Sequence, residues 1–272
     1  MAVARDEHTN NVVIGSGEFF IDLEDSAGKL TGERYVGDSV GGTLSSQTER
    51  VTVLSGDGPV AKTLLNKVRS KTHSLSIVLR DMSMENFALL MGVDAPTDSA
   101  AVAATAVTDE EHTVMQGRWY QLGRSDKKPF GVPGVAAAGL AVTNSDGSTT
   151  YTADTDYKVD ADRGRLFIVV GGGIASAAAE TIKVDYTPVA ALAGATQDVA
   201  VTDIKDLRGA IVYLEDSEDG EGRNIYARRC SISASGETAL KSRDSEQQIT
   251  VAAEVLDPGA GVPLIVVEGK PS

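Results

Sequence analysis

Alternation of apolar and polar residues is the most regular pattern along the chain, and its period of two is that of a β-strand. Residues 18–24 alternate so that Phe19, Ile21 and Leu23 face one side. A turn and a returning run as far as Val36 complete a predicted hairpin over residues 17–38. Further strand signals lie at residues 43–50, 75–79, 114–122, 157–170 (a hairpin), 181–186, 209–214, 225–233, 248–256 and 264–267. The pattern predicts a mainly β fold.

One short segment has the pattern of a helix instead. Ser83 is a suitable N-cap, Glu85 favours the positive end of the helix dipole, and Gly92 is a typical end. Four residues with apolar side chains share one face of this predicted helix: Met84, Phe87, Ala88 and Met91. We expect that face to pack against a sheet as part of the core.

Two segments interrupt the strand pattern. Residues 51–72 are rich in glycine, lysine and mixed polar residues, and they are too long for an ordinary hairpin loop, so we predict a long functional loop there. Residues 129–190 form a block of short strands and turns. We predict an inserted outer β subdomain at 129–190 within a core made of residues 1–128 and 191–272; the alternative is that these strands extend the main sandwich.

The stretch FIVVGGGIASAAAE, residues 167–180, imitates a dinucleotide-binding turn. Gly171 and Gly173 occupy the first two glycine places, but Ser176 occupies the third, and strand-like alternation resumes at Thr181 before a long helix could form. We therefore predict two strands joined by a loop of small residues, with no cofactor.

Composition narrows the possible chemistry further. With 25 basic and 39 acidic residues the net charge is −14, which argues against binding nucleic acid through a general basic surface. The only cysteine, Cys230, is predicted to be a small core residue, and the three histidines have no metal-ligand spacing. Residues 22–33 imitate a calcium loop, but Ala27 stands where the sharp turn needs glycine. We predict no metal site, no catalytic residues and no enzymatic activity.

The remaining features concern location. Residues 1–11 are polar and acidic, unlike a signal peptide, and the most apolar run, 166–179, is too short and glycine-rich to span a bilayer. We expect a protein made in a cytoplasm, with no membrane partner.

Several stretches resemble the tail tube proteins of bacteriophages with long non-contractile tails. VVIGSGEFFIDLEDSAGKLTGERYVGD (12–38) is similar to the opening segment of that family, and RNIYARRCSISASGETALKSRDSEQQITVAAEVL (223–256) to the closing one. SMENFALLMG (83–92) resembles the helix that follows the long hairpin of the family. GRWYQLGRSDKKPFGVPG (117–134), YTADTDYKVDADRGRLFIVVGGGIA (151–175) and IKVDY (182–186) resemble its elaborated members.

This resemblance implies a β-sandwich or barrel core with one short α-helix, six copies in a ring, and rings stacked into a tube through which DNA leaves the virion. Residues 129–190 would be an immunoglobulin-like decoration on the outside, and other tail proteins would be partners. Residues 51–72 match the loop that reaches the next ring, and five charged residues would form the ring-stacking contacts: Arg50, Asp57, Lys62, Lys67 and Arg69. The implied location is the virion tail, after assembly in the cytoplasm of the bacterial host.

The acid excess suggests a hypothesis about the tube. A basic lumen would hold DNA, because each neutralised phosphate releases counterions, whereas an acidic lumen would let the genome slide without specific binding. The alternative is that net charge only maintains solubility.

Two other functions remain as alternatives. A β-sandwich surface module could bind carbohydrate or a host protein, which normally needs exposed aromatic residues, and Trp119 is the only tryptophan. A flavin or nicotinamide enzyme is the third hypothesis, and it depends on the imperfect glycine turn at 171–176.

Overall fold

The computed structural model describes residues 15–57, 59–175, 178–202, 205–216 and 222–269. The polar segment 1–11 and the first three residues of the matching stretch 12–38 therefore lie outside the described residues. Within the described part the strands are β1 Gly17–Leu23, β2 Arg34–Tyr35, β3 Ser39–Leu54, β4 Thr63–Leu79, β5 Thr97–Asp98, β6 Val107–Val114, β7 Trp119–Gln121, β8 Ala141–Asn144, β9 Tyr157–Asp160, β10 Arg165–Ile168, β11 Glu180–Tyr186, β12 Gln197–Asp198, β13 Leu207–Glu215, β14 Arg223–Ala234, β15 Ile249–Val255 and β16 Ile265–Gly269. One helix, α1, spans Met84–Met91.

The chain forms two compact units. Unit 1 contains residues 1–97 and 198–272, and unit 2 contains residues 98–197. The boundaries predicted at 129 and 190 both lie inside unit 2, because β6 and β7, which precede residue 129, pair with β11 and β10. The short strands β5 and β12 pair with each other where the chain passes from one unit to the other.

Unit 1 is built on one antiparallel sheet with the strand order β2-β1-β13-β14-β15-β4-β3, and β16 also pairs with β14. Alternate residues of β4 point into its core, so Leu75, Ile77 and Leu79 are buried. Among the described residues the two ends of this sheet do not pair, so the sheet is not a closed barrel. The predicted mainly β fold with a single short helix is confirmed, but a barrel is not formed.

Helix α1 begins and ends where the sequence predicts. The Ser83 side chain accepts a hydrogen bond from the Asn86 backbone N–H, and Gly92 adopts the left-handed conformation that commonly ends a helix. The predicted buried face is partly wrong: Met91 is exposed, whereas Ala88 and Leu89 are buried.

A buried polar side chain holds the start of this helix in place. The Asn86 side-chain amide donates 2.9 Å hydrogen bonds to the backbone carbonyls of Val36 and Asp81, and its oxygen accepts one from Arg34. Buried polar groups are stable only when they are paired in this way, so Asn86 connects α1 to the segment before β3.

Unit 2 consists of two three-stranded antiparallel sheets, β7-β10-β9 and β6-β11-β8. Their inward side chains form one core, which includes Leu166 and Ile168 of β10 together with Ile182 and Val184 of β11. The single strand predicted at 114–122 is in fact the last residue of β6 and the whole of β7, because the chain turns at residues 115–118 and continues in the other sheet.

No helix among the described residues is long and apolar enough to cross a membrane.

Candidate functional site: the distal β3–β4 hairpin

The longest hairpin of the protein extends past the sheet to which it belongs. Strand β4 pairs with β15 only from Ser74 to Leu79, whereas its pairing with β3 continues to Thr63. Residues 46–73, which we call the distal hairpin, thus contain nine register pairs formed by β3 and β4 alone. At the usual strand rise of about 3.4 Å per residue the ribbon is roughly 30 Å long.

Both faces of the distal hairpin are open to solvent. Every described residue of β3 beyond Ser39 is exposed or half-buried, and one face near the tip is apolar. Val53 lies directly opposite Leu65, and Val51 is two residues away on the same face. These three side chains and four others leave between 41% and 70% of their surface exposed: Leu54, Val60, Leu64 and Val68. Such a concentration of exposed apolar side chains is typical of an interaction site.

The opposite face is more polar. Arg50 lies opposite Val68 and donates a 3.3 Å hydrogen bond to the side chain of Asn66. Next to them the register shifts by one residue, so Arg69 is an extra residue on β4, and its guanidinium lies 3.3 Å from the carboxylate of Glu49. A β-bulge of this kind increases the local twist of a ribbon.

The structure divides the five predicted ring-stacking residues between two places. Arg50, Lys67 and Arg69 lie around the bulge, and Lys67 is opposite Val51 on the apolar face. Asp57 and Lys62 lie in the tip loop, where the Ser55 hydroxyl accepts a hydrogen bond from the Asp57 N–H and the Ser55 N–H donates to the Lys62 carbonyl. Their role in stacking stays a prediction.

The prediction of a long loop over residues 51–72 is wrong. Strand β3 continues to Leu54 and β4 begins at Thr63, which leaves only residues 55–62 for the connection. The segment lacks a clear alternation because neither face of the ribbon is buried, so polar and apolar side chains occur on both faces. Periodicity detects a strand only where one face must avoid water.

A shallow groove of about 300 Å³ lies beside the start of the hairpin. Phe19 of β1, Leu44 of β3 and Tyr213 of β13 line it together with the glycines Gly41 and Gly42. Tyr213 is the one ionisable residue of this lining, and burial raises the pKa of its hydroxyl.

Unit 2 contains a network of polar groups that was not predicted from the sequence. The Glu110 carboxylate accepts hydrogen bonds from the Gly123 N–H (2.9 Å) and the Tyr186 hydroxyl, and His112 Nε2 lies 2.9 Å from it. Burial acts to raise the pKa of Glu110, but the contacts with His112, Tyr186 and Gly123 outweigh burial and lower the pKa. The spacing of Glu110 and His112, two residues apart on β6, is the signal that they share a face.

The glycine turn at 171–173 is held by side chains of the protein itself. The Asp156 carboxylate accepts a 2.7 Å hydrogen bond from the Gly173 N–H, and the Gln116 side chain bonds to the backbones of Gly171, Gly172 and Ile174. The hydrogen bonds that Asp156 accepts from the Thr152 and Gly173 N–H groups lower its pKa. Strand β11 follows this turn, as predicted, and the described residues between β10 and β11 contain no helix.

In the described part of the chain, no three His, Cys, Asp or Glu side chains are grouped so that they could hold a metal ion. Two acidic residues of the calcium-like segment have partners within the protein: the Asp22 carboxylate accepts a 2.7 Å hydrogen bond from the Gly32 N–H, and Glu24 lies 3.0 Å from the Arg229 guanidinium.

Comparison with known families gives one result. The model of a family described as "Protein of unknown function UCP028589" matches residues 12–200. The chain belongs to this family. The match covers β1 to β12, and hence the distal hairpin and unit 2, so both belong to the part that the family shares. The chain matches no curated protein sequence.

Proposed function

We propose that the protein is a structural virion protein whose copies close into rings, six to a ring by the resemblance, that stack into the tail tube of a bacteriophage. The observation that carries this proposal is the distal hairpin, which extends beyond its sheet with an apolar face exposed.

The energetics of the ribbon favour a partner. A two-stranded hairpin alone is marginally stable in water, because it lacks a third strand or a packed face. Burying one Val or Leu side chain fully contributes about 1.5–3 kcal/mol. Contact between the face of Val51, Val53 and Leu65 and a neighbouring copy would thus stabilise both the ribbon and the assembly. Lys67 on the same face would add a charged contact, whereas Arg50 lies on the opposite face.

The edges of the unit 1 sheet support the same proposal. The outer edge of β3 has no pairing strand among the described residues, although β3 is 16 residues long. A long open edge invites pairing with another chain, and a closed ring of copies satisfies such edges without leaving a free one. In this proposal unit 2 decorates the outside of the tube, and DNA passes through the lumen without specific binding.

Sedimentation velocity at increasing concentration tests the proposal. For a chain of 28.4 kDa we expect species of ring size and larger. Val53→Asp places a charge on the apolar face and should shift the distribution to the monomer. The matched control is Leu192→Asp, which changes an equally apolar side chain, 83% exposed, in unit 2; it should assemble like the wild type. Equal assembly of Val53→Asp and the wild type would show that the apolar face of the hairpin is not an assembly contact.

A further inference from the structure

The outward face of the sheet β7-β10-β9 in unit 2 presents aromatic and basic side chains. Leu166 and Ile168 of β10 are fully buried, so Arg165 and Phe167 point to the opposite side. The register places Trp119 of β7 on one side of Phe167 and Lys158 of β9 on the other. These side chains therefore form a row across three strands.

The aromatic pair on this face is solvent-accessible. The ring centroids of Trp119 and Phe167 are 5.0 Å apart, and the guanidinium carbon of Arg165 is 5.5 Å from the centroid of the Trp119 ring. Trp119 nevertheless leaves 46% of its surface exposed. Contact between the two rings stabilises the sheet. That structural role does not explain why Trp119 is exposed to solvent next to the guanidinium of Arg165.

The ionic groups of the face leave positive charge available. Among the described residues neither Lys158 nor Arg165 forms an ion pair. The one carboxylate of the face, that of Asp160, is 3.2 Å from the Arg163 guanidinium. The amide of Gln121 donates to the backbone carbonyls of Arg163 and Gly164. Asp160 lies directly opposite Arg165 in the register, but its ion pair is with Arg163, so an incoming anion would not have to displace an ion pair of Arg165 or Lys158 among the described residues.

A loop at the end of the same sheet extends this surface. The backbones of Ser125 and Lys128 exchange hydrogen bonds of 3.1 and 3.0 Å, and Leu122 N–H donates to the Gly164 carbonyl at 3.0 Å, so the loop is held beside the turn that joins β9 and β10. In the same loop Phe130 is 81% exposed. The loop contains three basic residues, Arg124, Lys127 and Lys128, and one acidic residue, Asp126. We call the row and the loop together the basic aromatic surface.

We propose that the basic aromatic surface binds an acidic polysaccharide, a chain of pyranose rings that carry carboxylates. One face of a pyranose ring exposes mainly C–H groups and packs on flat aromatic side chains, and Arg165 and Lys158 lie where a carboxylate beside such a ring would be bound. The local positive charge contrasts with the net charge of −14 of the whole chain.

The net negative charge of the chain argues against nucleic acid as the ligand of this surface. DNA carries about one charge per 1.7 Å of duplex, so the field of an acidic chain repels it more strongly than a polymer with one carboxylate per sugar. Trp119 and Phe167 also contact each other, so no base can enter between them. This binding does not depend on the assembly proposed above.

Tryptophan fluorescence measures binding at this surface directly, because Trp119 is the only tryptophan of the chain. The full chain is titrated at physiological salt with oligogalacturonate, with neutral dextran oligomers and with oligothymidylate. We expect a saturable change in emission with oligogalacturonate. Dextran should bind at least about tenfold more weakly, because it lacks the charge-assisted contact. Oligothymidylate should not change the emission.

Charge variants complete the test. Lys158→Gln and Arg165→Gln should each weaken the binding of oligogalacturonate about tenfold, whereas Lys241→Gln, an exposed lysine of unit 1, should leave it unchanged. Lys158 is exposed, so its variant is expected to keep the fold. The proposal is overturned if oligogalacturonate leaves the emission unchanged, if dextran or oligothymidylate binds equally well or better, or if Lys158→Gln binds like the wild type.

Discussion

Gly42 of β3 lies against the aromatic ring of Phe19 of β1, so closely that a Cβ atom at position 42 would be 2.2 Å from Phe19 Cζ. Strand β3 is the last strand of the order in unit 1, and β1 is the second strand from the other end. The sheet therefore curls until the Phe19 side chain of β1 lies against β3, although no pairing joins these two strands among the described residues. The missing side chain at position 42 makes this close approach possible.

Substitution of this glycine tests the contact. Gly42→Ala should lower the free energy of unfolding by about 1–3 kcal/mol, because the Phe19 ring is itself packed on Tyr213 and cannot move freely. Gly41→Ala is the matched control, since a Cβ at position 41 meets nothing within 4 Å. Denaturant unfolding followed by circular dichroism should separate the two; equal stabilities would contradict the close approach.

The hydrogen bonds of Asn86 give a second prediction. Asn86→Ala removes the donors for the carbonyls of Val36 and Asp81, so we expect a loss of about 1–3 kcal/mol in unfolding free energy. Met91→Ala, on the exposed side of the same helix, should change it by less than about 0.5 kcal/mol. The same denaturant measurement applies. A loss for Met91→Ala as large as that for Asn86→Ala would contradict a specific role of the Asn86 hydrogen bonds.

Glu110 should make unit 2 sensitive to acid. Because the pKa of Glu110 is lowered in the folded protein, its ionised form stabilises the fold above the ordinary value of 4.5, and this contribution is lost as the pH falls through the folded pKa. Glu110→Gln should therefore be less stable than the wild type near neutral pH, and the two melting curves should converge in acid. Glu111→Gln, an exposed neighbour, serves as the control and should follow the wild type. A constant difference at every pH would contradict this role.

Cys230 should be unreactive in the folded protein. It is fully buried in the unit 1 core, and burial raises the pKa of its thiol to about 12. A thiol reagent should label no cysteine under native conditions and one per chain in denaturant. Rapid labelling of the native protein would mean that this part of the core opens.

Sequence patterns predicted elements well where one face is buried. The core strands of unit 1 and the helix capped by Ser83 and Gly92 follow from alternation and capping alone, whereas β6 of unit 2 was not predicted. The strands of the distal hairpin were mostly not predicted, because the hairpin has no buried face and hence no clear alternation. The extent of unit 2 was also missed, since only pairing over long sequence separations, such as Trp119 with Phe167, shows that β6 and β7 belong to it.

The candidate surfaces were predictable only in part. Arg50, Lys67 and Arg69 were placed in the hairpin by position, but the face of the ribbon on which each side chain lies depends on the register of β4 and its bulge. Trp119 stood out as the single tryptophan, whereas its neighbours Arg165 and Lys158 come from strands about 40 residues further along the chain. Residue chemistry is visible in sequence; which residues become neighbours depends on topology.

Negative-stain electron microscopy of the concentrated wild-type protein tests the central proposal most directly. Rings with a central hole, and striated tubes in which such rings are stacked, are the predicted result. Particles of single-chain size at every concentration, with no rings, would contradict the assignment of this chain to a tail tube.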